Sequence, residues 1–221
     1  MTARRIARAS LLVLAALCAC HAKRARPAGA PPASLQIVAI DDSIDPFATA
    51  SAPSDVTIQS ELGPLGGGKE IAEHYARTIV RPGETEAAAR ARLRRWLATV
   101  SLPSPARFGV GIVHDEPGSA YARSWVLAGP TVITTSDVVD AEPTNTGGDV
   151  GVTVTLSRDG ANRFEDFTRA WVGRRAAICL DDDVTTAPVI RTPIGGGRLE
   201  ITTGRDTRSA EKLAASLRPA R

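Results

Sequence analysis

Three aspartates in a row, Asp181, Asp182 and Asp183, stand between the apolar runs AAICL and VTTAPVI, and three glycines, Gly195, Gly196 and Gly197, follow. Adjacent carboxylates can hold a cation or share a proton, and clustered glycines can cradle a phosphate. Each use has a spacing requirement. Consecutive strand residues point to opposite faces, so the three carboxylates converge only in a special loop, and no DxDxDG spacing surrounds them. A hairpin turn asks less, because aspartate tolerates the positive φ of such turns, though less well than glycine. A phosphate loop wants its glycines between a strand and a helix, with Lys and Ser or Thr beside them. Here the next run is strand-like, LEITT, so the glycines read as a bend between strands. GPLGGGKE at 63–70 comes nearer to that pattern, since Lys69 is present, but no apolar strand leads in and no hydroxyl follows; it reads as a flexible entry to a helix.

The histidines, His21, His74 and His114, are not paired at metal spacing, and no GxSxG, HExxH or paired CxxC occurs. A hydrolase would have to rest on Asp181, Asp182, Asp183 or His114 alone. The expectation is a binding protein rather than an enzyme, with no catalytic residue, no metal and no cofactor. Cys179 lies in an apolar run and reads as a small buried hydrophobe.

The chain has 221 residues and 43% hydrophobic content, enough for one or two small domains with a real core. Aromatics make up only 4%, too few for a base-stacking surface. The formal charge of +3 sits largely in the first residues, where Arg4, Arg5 and Arg8 have no acidic counterpart. Beyond residue 19 the two signs are equal, so no electrostatic footprint for nucleic acid remains.

Residues 1–19 combine that basic region with an apolar run ending at Cys20, too short for a bilayer span of roughly 20 residues. The sequence predicts a signal peptide, and its end, Leu17-Cys18-Ala19-Cys20, resembles the bacterial lipobox. Cys20 is then the lipid attachment residue and the first mature residue. His21 follows it where some bacteria place the aspartate that retains lipoproteins at the inner membrane, which favours the outer membrane. Residues 20–33, rich in Ala, Pro and basic side chains, are expected to form a disordered tether.

In the body, SLQIVAI (34–40) alternates like a strand, and 41–55 reads as loop. KEIAEHYARTIV (69–80) places Ile71, Ala72, Tyr75 and Ile79 at helical spacing, and 84–100 is a second helix with Leu93, Trp96, Leu97 and Val100 in one stripe. Strands are expected at 108–113, 122–128, 131–134 and 151–157, with AEPTNTGGD (141–149) as a turn-rich patch. Ser157 is placed to cap a helix through Trp171, which Gly173 ends. RAAICLD and VTTAPVI form a hairpin around Asp182 and Asp183, LEITT (199–203) a strand, and Asp206 caps a last helix with Leu213 and Leu217 inward. The fold class is α+β, a layered sandwich with a mixed or antiparallel sheet.

From Val152 onward the sequence resembles the first periplasmic domain of SecD, accessory subunit of the bacterial Sec translocon. The family pattern runs GA-x-x-F-x-x-x-T, VG-x-R-x-A-x-x-LD, a turn, APxI, a glycine pair, a strand ending IT, and a closing helix. This chain supplies Gly160-Ala161, Phe164, Thr168, Val172-Gly173, Arg175, Ala177, Leu180-Asp181, Ala187-Pro188, Ile190, Pro193, Ile201-Thr202, Ala210 and Leu213-Ala214 at the same spacing. Upstream, VLAGPTVITTSDVVDA echoes LVxxxLTxxDIxDA, and SLQIVAIDD echoes an opening LEFRLV strand. The resemblance implies a SecD periplasmic-domain-like region over 34–221, strongest over 151–221, with ferredoxin-like character. It makes Gly173, Asp181, Pro188, Pro193 and Gly196 shape-setting positions.

The departures are Asp182 where the family turn has glycine, Thr203-Gly204-Arg205-Asp206 in place of GNFT, and an end at Arg221 where a SecD would enter its membrane helices. The intramembrane acid that couples such proteins to the proton gradient has no counterpart, so pumping is not expected. The implied function is that of a lipid-anchored envelope protein facing the periplasm, binding exported polypeptide or Sec components through a strand edge or apolar groove. The alternative is a structural or regulatory envelope lipoprotein that reuses the fold.

Overall fold

The computed structural model describes residues 32–65, 69–116, 118–146, 149–204 and 207–219. The expected signal peptide, Cys20, His21 and most of the tether lie outside the described residues, as do Arg205 and Asp206.

Among the described residues, β1 (Leu35–Ile40), β2 (Thr57–Leu65), β3 (Lys69–Ile79), β4 (Arg107–Glu116) and β5 (Ser119–Thr134) come first, with α1 (Glu86–Leu97) between β3 and β4. Then follow β6 (Val138–Thr146), β7 (Asp149–Leu156), α2 (Arg158–Ala170), β8 (Ala176–Leu180), β9 (Asp183–Thr186), β10 (Arg198–Gly204) and α3 (Thr207–Leu217). The class is α+β, as the sequence implies.

Seven strands pair in the order β1-β8-β9-β4-β5-β3-β2, and β1 also pairs with β5. The ladder β1-β8-β9-β4-β5 therefore closes on itself, leaving the β2–β3 hairpin as an extension of β5. Only β4 and β9 run parallel. Val38, Ile40, Trp125, Leu127, Ala177, Cys179 and Val184 form a buried cluster inside this ring. A β5 of 16 residues makes the closure possible, since it pairs with β4 and β3 through its first half and with β1 through its second. The sequence suggests a break at Gly129-Pro130; instead the strand bulges there, with Gly129 at φ +75 and the register against β1 shifting around Val38.

KEIAEHYARTI is a strand, not the expected helix. Its local propensity and spacing favour helix, but β2 and β5 flank it on both edges, and tertiary pairing overrides propensity. GPLGGGKE accordingly leads from strand to strand, with 66–68 outside the described residues. The other face of this sheet carries α1, whose N-terminus is capped by Thr85 accepting from the Ala88 N–H. Ala89, Leu93 and Leu97 of α1 pack on Ala76, Val110 and Ala122. Phe47 stacks against both Trp96 and Phe108, at 5.7 and 5.8 Å.

The second sheet has the order β10-β7-β6 and is wholly antiparallel. β6 runs to Thr146 through the patch expected to be a turn, and Pro143 is accommodated because β6 is an edge strand. Val150, Val152, Val154 and Leu156, at period two, bury against Phe164 of α2, Ala210, Ala214 and Leu217 of α3, and Ile37, Ile133 and Ile178 on the outside of the ring. At the start of α2, Ser157 accepts from the Gly160 N–H at 3.1 Å, the cap its position in the sequence implies.

Candidate functional site

The three aspartates do not converge on a site. Asp181 and Asp182 have φ +49 and +69 and form the reversal between β8 and β9, one residue earlier than the expected Asp182-Asp183, because Asp183 already belongs to β9. The Asp181 carboxylate accepts from the Ser34 N–H at 2.8 Å and its own N–H donates to the Ser34 carbonyl, fastening the turn to the entry of β1. Asp183 turns the other way, toward Arg90 at 2.9 Å and Arg94 at 2.5 Å on α1. Among the described residues no group of three or more His, Cys, Asp or Glu is placed to hold a metal.

His114 and Asp183 do line one cleft, of about 580 Å³, together with Arg90, Thr185 and Thr202. Their polar atoms are engaged elsewhere: the Asp183 carboxylate by the two arginines, and His114 Nε2 at 3.5 Å from Glu86. His74 lies 3.6 Å from Asp45. Cys179 is buried in the ring, and that burial pushes its thiol up to about 11, with Asp182 and Asp183 adding and Arg107 opposing.

Of the positions expected to set shape, Asp181 lies at the β8–β9 turn, and Gly173, Pro188, Pro193 and Gly196 lie in or against the 188–197 segment. Gly173, at φ +84, donates its N–H to the Ile190 carbonyl at 2.7 Å, and the Pro188 carbonyl accepts from Ala176. Thr168, fully buried, accepts from the Ile194 N–H at 2.9 Å, which pins the stretch just after Pro193 to α2. Gly196 and Gly197 sit at φ +76 and +64, and a Cβ on Gly197 would stand 2.5 Å from that of Ala161. The glycines are a bend between strands.

This segment roofs an apolar cavity of about 260 Å³ lined by Phe164, Ile178, Pro188, Ile190, Ile194 and the consecutive residues Arg198, Leu199 and Glu200. Side chains of three consecutive strand residues cannot all face one way. The cavity is therefore lined in part by main chain of β10, which forms one edge of its sheet. That edge is open, because β10 pairs only with β7 among the described residues. An unpaired strand edge beside an apolar cavity can accept an extended chain by main-chain hydrogen bonding, with a side chain buried alongside.

Sequence reasoning missed a buried charge network where β5 leaves β3 for β1. Arg175 holds Asp42 through two bonds, at 2.5 and 3.1 Å, and reaches Glu73 at 2.6 Å; Arg123 meets the same Glu73 oxygen at 2.6 Å. The Arg123 guanidinium lies 3.8 Å from the centre of the Tyr75 ring and 5.2 Å from that of Trp125. Burial and the Glu61 carboxylate, at 2.6 Å, raise the Tyr75 phenol. The signal was an arginine inside GRRAAICL: a charge entering a buried strand needs partners.

Comparison with known proteins matches residues 112–220 to the family model described as SecDF, P1 head subdomain. The C-terminal half of this chain is SecD-like. SecD of Acidaminococcus fermentans is 42% identical over 93 residues, 42% of this chain and 22% of that protein. SecDF of Thermus thermophilus is 40% identical over 91 residues, covering 41% and 12%, and SecD of Rhodobacter capsulatus 38% over 124, covering 55% and 22%. The chain thus spans about a fifth or less of the length of these relatives. A solved structure described as a membrane component, SecDF, that enhances protein export superposes over 84% of this chain and 93% of that one, at 22% identity and a TM-score of 0.40. The SecD-like segment begins within β4 and includes the β10 edge, all of the described cavity lining except Ile37 of β1, and Gly173, Asp181, Pro188, Pro193 and Gly196. No helix among the described residues is long and apolar enough to cross a membrane.

Proposed function

We propose that this chain is a lipid-anchored protein of the bacterial envelope that faces the periplasm and binds polypeptide in protein export. The observation that carries the reading is the match of residues 112–220 to the SecDF P1 head subdomain. Relatives sharing this segment are named as protein translocase subunits. The lipobox-like Leu17-Cys18-Ala19-Cys20 supports anchoring through Cys20, and the Gly173, Asp181, Pro188, Pro193 and Gly196 positions serve as shape-setters for the binding face. The open edge of β10 and its cavity give such a domain a way to hold extended chains with little regard to sequence, since main-chain bonds carry the contact.

The test is crosslinking in cells followed by identification of what is captured. Recovery of exported chains or Sec subunits supports the reading. Recovery of neither, with other envelope components captured instead, favours a structural or regulatory lipoprotein that reuses the fold. Anchoring is tested separately: a clickable fatty acid should label the wild type and not Cys20→Ser.

A further inference from the structure

The geometry points to a slot for one extended polypeptide segment on β10, selective for the order basic, apolar, acidic; this rests on the polypeptide-binding reading above and adds its site and preference. The Leu156 N–H donates to the Gly197 carbonyl at 2.8 Å, and the register sets Arg198 opposite Thr155 and Leu199 opposite Val154. In an antiparallel ladder hydrogen-bonded pairs alternate. Leu199 and Ile201 therefore bond to β7, while Arg198 and Glu200 turn their N–H and C=O groups to the open edge. No other described backbone group bonds to those four. An added antiparallel strand would make two hydrogen-bonded pairs, at Arg198 and at Glu200.

The side chains set the preference. Arg198 and Glu200 are exposed on the outer face of the sheet and have no ion-pair partner among the described residues, whereas Leu199 points inward and lines the cavity. A chain running antiparallel places first a residue opposite Glu200, then one opposite Leu199 directed into the cavity, then one opposite Arg198. Directly opposed unlike charges attract and like charges repel, which selects a basic residue first and an acidic residue last. A cavity of about 260 Å³ has room for an apolar side chain, not for a folded partner. An acyl chain would fill it too, but would leave the main-chain groups at its mouth without partners.

The test uses the purified chain and two labelled, unstructured peptides, one carrying Lys-Leu-Glu at its centre and one Glu-Leu-Lys, read by fluorescence anisotropy. Wild type should prefer the first by about tenfold, the sum of two charge pairs changed from attractive to repulsive. Arg198→Glu/Glu200→Arg should reverse the preference. Glu200→Pro, which removes an edge N–H without touching the β7 ladder, should abolish binding of both while the melting transition survives. No binding, or a preference the charge exchange leaves unchanged, overturns the proposal. So does concentration-dependent self-association through this edge, because Arg198-Leu199-Glu200 itself has the selected order and a second copy would then be the occupant. Crosslinks to exported chains that persist in Glu200→Pro cells would refute the slot and spare the export reading; peptide selectivity without any such crosslinks would do the reverse.

Discussion

Arg175→Met should be among the most damaging single changes to the fold. The side chain of Arg175 is 10% exposed, and those of its partners Asp42 and Glu73 are 14% and 8% exposed. Removing the guanidinium leaves Glu73 with Arg123, but strips Asp42 of both its bonds. Breaking a buried pair on one side costs about 3–5 kcal/mol, and the residual exposure here argues for about 3. At a urea m-value of about 2–3 kcal/mol/M that moves the midpoint by about 1–1.5 M, with m unchanged. Replacing both members, as Arg175→Met/Asp42→Leu, removes the stranded charge and should recover much of the loss, a coupling of about 1–3 kcal/mol. A midpoint within about 0.2 M of wild type for the single variant, or strict additivity in the double, would refute the reasoning.

Asp182→Gly should stabilise by about 0.5 kcal/mol, because glycine relieves the φ +69 conformation while giving back some unfolded-state entropy; a lower melting temperature would contradict this. Ser157→Ala should cost about 1 kcal/mol by freeing the Gly160 N–H at the start of α2, measured by urea unfolding. The Cys179 thiol, held near 11 and out of water, should resist thiol reagents at pH 8 and react only as urea unfolds the chain. Burial would raise Asp137, but the Thr134 N–H and the Arg163 guanidinium outweigh it and leave the carboxyl below its ordinary 3.8. Its contribution is then fully present above that value and is lost as pH falls through it toward the depressed folded value. Asp137→Asn should flatten this part of the acid unfolding profile, and an unchanged profile would count against the assignment.

The elements that rest on local chemistry were legible in the sequence. α2 announces itself through Ser157 and the apolar face of Phe164 and Phe167, and the reversal within the aspartate run, to within one residue, through side chains that tolerate a left-handed backbone. What depends on distant partners was not. KEIAEHYARTI has helical composition, and only its neighbours β2 and β5 make it a strand. Closure of the ring depends on β1 meeting β5 across some ninety residues of chain, which no window of sequence displays. Candidate site residues divide in the same way. Spacing showed that the aspartates reverse the chain but not that Asp183 belongs to β9 and pairs with Arg90 and Arg94, whereas the open edge of β10 and the cavity beside it exist only once Phe164, Ile178 and Ile190 are brought together. Arg198 and Glu200 look like ordinary exposed charges until the ladder phase shows which way their main-chain groups point.

The proposed binding of exported polypeptide requires that this chain recognise chains that have not yet folded. Its most direct measurement is the affinity of the purified chain for one exported protein presented in two forms, held unfolded by destabilising substitutions and as the folded mature protein. Binding of the unfolded form should be saturable and at least tenfold tighter than of the folded form. Equal affinity for the two forms, or binding to neither, would contradict it.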